Sequence, residues 1–149
     1  MMDSDFNSVR FALPLLAAAQ AQKEITHNEA LALIDGIIHP VIESDSESAP
    51  PVDAVAGQAW LVGPGASGEW AGQDGRIALM TGGGWRFVTP VEGMQAWLSG
   101  ARAVFSASTW SAPPVYAAPD GGAVVDAEAR NALSTLASAL AMAGLIIAN

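Results

Sequence analysis

The chain has 149 residues and a formal charge of −9 at pH 7, one domain's worth of sequence whose fifteen acidic against six basic residues argue against nucleic acid as a partner. Hydrophobic residues make up 51% and charged residues only 14%, so a lone monomer would leave much apolar surface bare and subunit contacts are expected. Cysteine is absent, which removes disulfides and thiolate metal sites and leaves stability to packing.

The N-terminal region opens with Arg10 followed by Phe11-Ala-Leu-Pro-Leu-Leu-Ala-Ala-Ala and Ala19-Gln-Ala21, an imitation of a signal peptide. Asp3 and Asp5 make its leading part acidic and Pro14 interrupts the apolar run, so the segment is expected to stay uncleaved. From Leu15 to Ile38 the composition favours helix, and Thr26 followed by Glu29 has the spacing of a capping box. The firm helix is placed at Asn28 to Asp35, with residues 15–24 as an earlier turn or an arm. Gly36 breaks the pattern, Ile37 to Ile42 with Pro40 suits an edge strand, and Ser44 to Val55 reads as an acidic loop.

The centre is glycine-rich and punctuated by five tryptophans, Trp60, Trp70, Trp85, Trp97 and Trp110. Gln58 to Val62 is a short apolar strand; Gly63 to Gly68 is a loop; Glu69 to Gly72 is a brief extended piece. Asp74-Gly75 is a strong hairpin-turn signal before the strand Arg76 to Met80. Gly82 to Gly84 turns the chain into Trp85-Arg-Phe-Val88, where Trp85 and Phe87 share one face and Arg86 and Val88 the other. Glu92 to Leu98, Ala101 to Phe105 and Thr109 to Ser111 loosely repeat this plan, again with a tryptophan opening the return strand.

Pro113-Pro114 and Pro119-Asp-Gly-Gly122 suggest a linker, after which Asp126 caps a helix from Ala127 to Ala143 that ends at Gly144. Ala129, Leu133, Leu136, Leu140, Ala143 and Ile147 alternate spacings of four and three, a heptad seam that docks either on the chain's own sheet or on other copies. The apolar stretch Leu133 to Ala148 is interrupted by Ser134, Thr135 and Ser138 and is shorter than the roughly 20 residues a membrane span needs. No membrane insertion is expected.

The fold class is therefore α+β: an N-terminal helix, a central tryptophan-rich antiparallel hairpin or meander module, and a C-terminal helix with a heptad seam. The divisions fall at residues 1–35 for an anchoring arm and helix, 36–112 for the hairpin module, 113–125 for a linker and 126–149 for an oligomerisation helix.

Chemistry-bearing motifs are weak. Gly63-Pro-Gly65-Ala-Ser-Gly68 matches a dinucleotide fingerprint in form, but Glu69-Trp-Ala-Gly72 follows it where a helix N-terminus is required. His27 and His39 have no ligand-spaced partner, so neither a metal nor another cofactor is expected. Glu69, Asp74 and Glu92 lie near tryptophans, as a glycan-cleaving carboxylate pair would, yet acidic residues in glycine turns are commonly turn formers, and no catalytic residue is assigned. Most of the tryptophans are expected in the core. Trp70, flanked by Gly68 and Gly72, is expected to be an exposed ring and, with Glu69 and Asp74, a candidate glycan contact.

Three blocks, Leu13 to Leu31 with its Gln20-Ala-Gln22-Lys23-Glu24 run, Gly65 to Gly72, and Gly83 to Pro90, carry a resemblance over about residues 11–111. They resemble an uncharacterised domain family of alphaproteobacterial phages, prophages and gene transfer agents, found mainly in tail-fibre and related virion proteins. The stretch from Asp126 to Leu145 is similar to helices that follow this domain. The resemblance implies a structural, non-enzymatic protein of a tailed particle, homotrimeric as most fibres are, made in the bacterial cytoplasm and located in the virion, on the tail rather than the head. Its partners would be copies of itself, other virion proteins and host surface polysaccharide. Gln20, Gln22, Lys23 and Asn28 are the expected anchoring contacts. A free carbohydrate-binding module, a glycosidase and a head fibre are the open alternatives.

Overall fold

A computed structural model of the chain describes residues 7–16, 23–122 and 126–148. The architecture is α+β: the described residues form two α-helices and a mixed sheet of seven strands, with a separate two-stranded sheet at the C-terminal end. Helix α1 runs from Lys23 to Ile37 and α2 from Ala127 to Met142. The large sheet is built from β1 Val41–Ile42, β2 Ala59–Leu61, β3 Ile77–Thr81, β4 Gly84–Val88, β5 Gln95–Leu98, β6 Ala101–Ser106 and β7 Thr109–Ser111, in the order β4-β3-β2-β1-β5-β6-β7.

That order is two three-stranded antiparallel meanders flanking one short central strand. β1 pairs in parallel with both neighbours, Ile42 standing beside Ala59 on one side and Leu98 on the other. The edge strand expected at Ile37 to Ile42 is thus corrected to two residues at the centre of the sheet. Pro40 is tolerated there because it lies just before the strand, and its carbonyl accepts from the Trp97 amide at 2.8 Å. The loop after β1 stays alongside β2, with Leu61 N donating to Ser44 O and Gly63 N to Glu47 O.

Strand alternation divides the side chains between two faces. The inner face carries Ile42, Ala59, Leu61, Ile77, Leu79 and Ala96, against which Leu33 and Ile37 of α1, Val88, Leu98 and Trp110 pack. Helix and sheet meet closely because Gly36 has no side chain: a Cβ there would fall 2.7 Å from Leu79 Cδ1. The outer face of the first meander carries Trp60, Val62, Trp70 and Ala78 with Met80, Trp85 and Phe87. Trp85 and Phe87 share that face, as the alternation predicts.

α1 begins earlier than expected, so Thr26 lies inside the helix rather than capping it. Glu29 reaches across to β4 instead, where its Oε1 accepts from Arg86 at 2.6 Å. The end of α1 is held by the N-terminal segment. Asp35, buried, accepts from the Arg10 amide at 2.8 Å and the Phe11 amide at 2.7 Å, while the Arg10 guanidinium donates to the carbonyls of Asp35, Gly36 and His39. A cation on the unsatisfied carbonyls of a helix C-terminus is favourable both as hydrogen bonding and against the helix dipole.

The extended piece expected at Glu69 to Gly72 is corrected to a single 3-10 turn, Gly68–Trp70. Beyond the large sheet, the linker expected at 113–125 contains a short strand β8, Val115–Tyr116, which pairs in parallel with β9, Ile147–Ala148. α2 has the predicted cap: the Asp126 side chain accepts from Ala129 N at 2.9 Å. It ends as predicted at Gly144, whose φ of +70° suits glycine; Leu145 N donates to Leu140 O and Gly144 N to Ala141 O, the paired bonds of a Schellman ending.

Candidate functional site

Four places could bear function, and each departs in part from the sequence reading. The first is the expected glycan contact at Trp70, Glu69 and Asp74. Trp70 is 0% exposed, wedged with its centroid 5.1 Å from Trp85 and 6.3 Å from Trp60. Its expected exposure is corrected: the 3-10 turn folds the ring inward, where it plugs the outer aromatic cluster. Among the described residues its indole N–H has no acceptor, so packing alone holds it. Asp74 accepts from Gly65 N at 2.9 Å and Ala66 N at 3.0 Å, and these backbone bonds hold its carboxyl below the usual carboxylate range. It ties a glycine loop to a turn. Glu69 stays exposed, and Glu92 accepts from Ser106 Oγ and Ala107 N across the β6–β7 turn.

The second place is the N-terminal segment expected to anchor the chain. Gln20 and Gln22 lie outside the described residues, as does the side chain of Lys23. At Asn28, the Oδ1 accepts from Leu16 N at 2.9 Å and the Nδ2 donates to Leu16 O at 3.0 Å, so this side chain ties the N-terminal segment to α1. The same segment and α1 enclose a mostly apolar hollow of about 180 Å³ between Val9, Leu15, Ala32 and Leu79.

The third is the C-terminal helix. Its expected seam is shortened, because Ala143 is the helix cap and Ile147 belongs to β9, leaving Ala129, Leu133, Leu136 and Leu140 on the helix. Leu133 is 46% exposed, Leu136 56% and Met142 89%, and the buried position of α2 is Ala137. The leucine stripe is not covered by the chain's own sheet.

The fourth was missed in the sequence reading. On the outer face of the second meander, Trp97 is 37% exposed and stands opposite Arg102 across β5 and β6. With Gln95, Ile38 and His39 they line an open hollow of about 180 Å³. The available signal was a repeated tetrapeptide: Gln58-Ala-Trp-Leu61 and Gln95-Ala-Trp-Leu98 put an alanine on the inner face and a tryptophan on the outer face of each meander.

Taken together, these surfaces describe a small α+β module with a buried aromatic cluster on its outer face and two uncovered apolar areas. The chain belongs to the DUF2793 family, described as proteins of unknown function, whose pattern matches residues 27–111. The match runs from within α1 to the end of β7, so it takes in the whole seven-stranded sheet and leaves α2 outside. No curated protein matches the chain. Among the described residues, no helix is long and apolar enough to cross a membrane.

Proposed function

We propose that the chain is a structural, non-enzymatic component of a tailed phage or gene-transfer-agent particle, a short tail fibre or fibre connector that takes part in host adhesion. In this reading three copies associate through α2, the DUF2793 module faces outward, and the N-terminal segment meets other virion proteins. The observation that carries it is the uncovered stripe of Leu133 and Leu136 on a helix outside the family module. Such a stripe is costly in water and suits helix-to-helix burial at heptad spacing. The resemblance of Leu13 to Leu31 to virion proteins supports the particle.

Light scattering on the purified chain tests the association. A mass about three times the 15.2 kDa of one chain is expected; a concentration-independent monomer would overturn the trimeric fibre. A free carbohydrate-binding module is the second reading, favoured by the half-open ring of Trp97. A monomer that nonetheless binds saccharide would select it.

A further inference from the structure

The two meanders treat the same tetrapeptide differently. After Gln58-Ala-Trp-Leu61 the chain makes a long excursion before β3, and that excursion carries Trp70 back over Trp60. After Gln95-Ala-Trp-Leu98 it turns at once through Ser99 and Gly100 into β6. Nothing from the second meander takes the place of Trp70. The C-terminal end of α2 touches one edge of the ring, where a side chain at Gly144 would come within 3.2 Å of Trp97 Cζ3, and the rest of the ring borders the open hollow.

Among the described residues, the polar groups lining that hollow include no carboxylate. Arg102 is half-buried, and among the described residues it has neither a carboxylate nor a hydrogen-bond acceptor. The other arginines differ: Arg86 pairs with Glu29, Arg10 and Arg130 donate to backbone carbonyls, and Arg76 is exposed to water. A half-buried guanidinium without an anion among the described residues is conspicuous in a chain with nine excess negative charges. His39 and Gln95 add an imidazole and a carboxamide at the same hollow.

We infer that the hollow formed by Trp97, Arg102, His39 and Gln95 binds an acidic saccharide, one sugar ring bearing a carboxylate. The apolar face of a pyranose stacks on an indole, a carboxylate matches the guanidinium fork, and ring hydroxyls suit an amide and an imidazole. The small hollow selects a terminal or isolated acidic sugar, because a densely charged polymer would meet the chain's own negative field. The inference rests on the adhesion reading above only for where such a sugar would be encountered. Solution mass tests assembly and saccharide titration tests the hollow, so either can fail alone.

The test is a titration of the full chain with methyl glucuronide and with the neutral methyl glucoside, followed at the tryptophan indole N–H signals by two-dimensional NMR. The Trp97 signal is assigned by its loss in Trp97→Phe. A saturable shift of that signal with glucuronide is expected, at a dissociation constant of about 1–10 mM as suits a single open site, with glucoside at least about fivefold weaker. Arg102→Gln is expected to erase the difference between the two sugars while leaving the other indole signals in place, which also shows that the variant is folded. Added salt is expected to weaken the glucuronide alone. No shift at Trp97 with either sugar, or equal binding of both, would overturn the proposal. So would tighter binding of a glutamate-containing peptide than of glucuronide, which would assign the hollow to an acidic protein segment.

Discussion

Trp70 and Trp97 show how far one residue type can diverge within a single sheet. Both stand among glycine-rich turns, yet one is fully enclosed by two other indoles and the other borders open space. The difference lies in the length of chain between strands, which decides whether a ring can be carried back over the face. Asp74 is what fixes the longer excursion, through its bonds to the amides of Gly65 and Ala66. Because those bonds favour the ionised form, the folded carboxyl titrates below its ordinary value of 3.8. The stabilisation is therefore complete above that value and is lost as pH falls through the lower folded value. Asp74→Asn is expected to lower the melting temperature by a constant amount near neutrality, with the gap to the native chain closing as pH drops below 3.8. Thermal melts at a series of pH values measure this; a gap that stays constant throughout would mean that the charge contributes nothing.

At the scale of elements, the seating of α1 on the sheet depends on a contact with no room for a methyl group. The Cβ of an alanine at position 36 would lie 2.7 Å from Leu79 Cδ1 and 2.9 Å from Cδ2, deep in the inner-face core. Gly36→Ala would gain helix propensity, but overpacking of this kind costs about 1–3 kcal/mol and is expected to prevail. Denaturant unfolding reads the loss, and an equal or higher midpoint would show that α1 shifts freely on β3. Register matters equally in the second meander. Trp85 and Trp110 each open a return strand, yet Trp85 faces the outer cluster and Trp110 the inner one. A shift of one residue in pairing reverses every side chain of a strand, and so a loose sequence repeat need not be a repeat of environment.

At the scale of the molecule, the sheet and its helix α1 form one packed body, while α2 meets it at the Gly144 end, beside Trp97 and Arg102. The leucine stripe faces away from the chain's own core. Replacing Leu133, Leu136 and Leu140 together with serine is therefore expected to reduce the oligomer mass while leaving the near-ultraviolet dichroism of the tryptophan cluster unchanged. Loss of that aromatic signal at unchanged mass would instead place the leucines in the chain's own core. Leu140, half-buried where Leu133 and Leu136 are exposed, is the member of the stripe whose change bears on both outcomes.

The sequence by itself determined the local structure: the meander strands, the Asp126 cap and Gly144 stop of α2, and the shared face of Trp85 and Phe87. These follow from period, capping chemistry and turn residues, which act over a few positions. Only the tertiary structure decided that Val41 and Ile42 sit at the middle of the sheet, because parallel pairing joins strands far apart in sequence. It also decided that Asp35 and Arg10 clasp across α1, that Asn28 binds Leu16, and that Trp70 is inside while Trp97 is open. Each of these depends on which distant segment comes to rest over a given face, and burial is a property of that neighbour rather than of the residue.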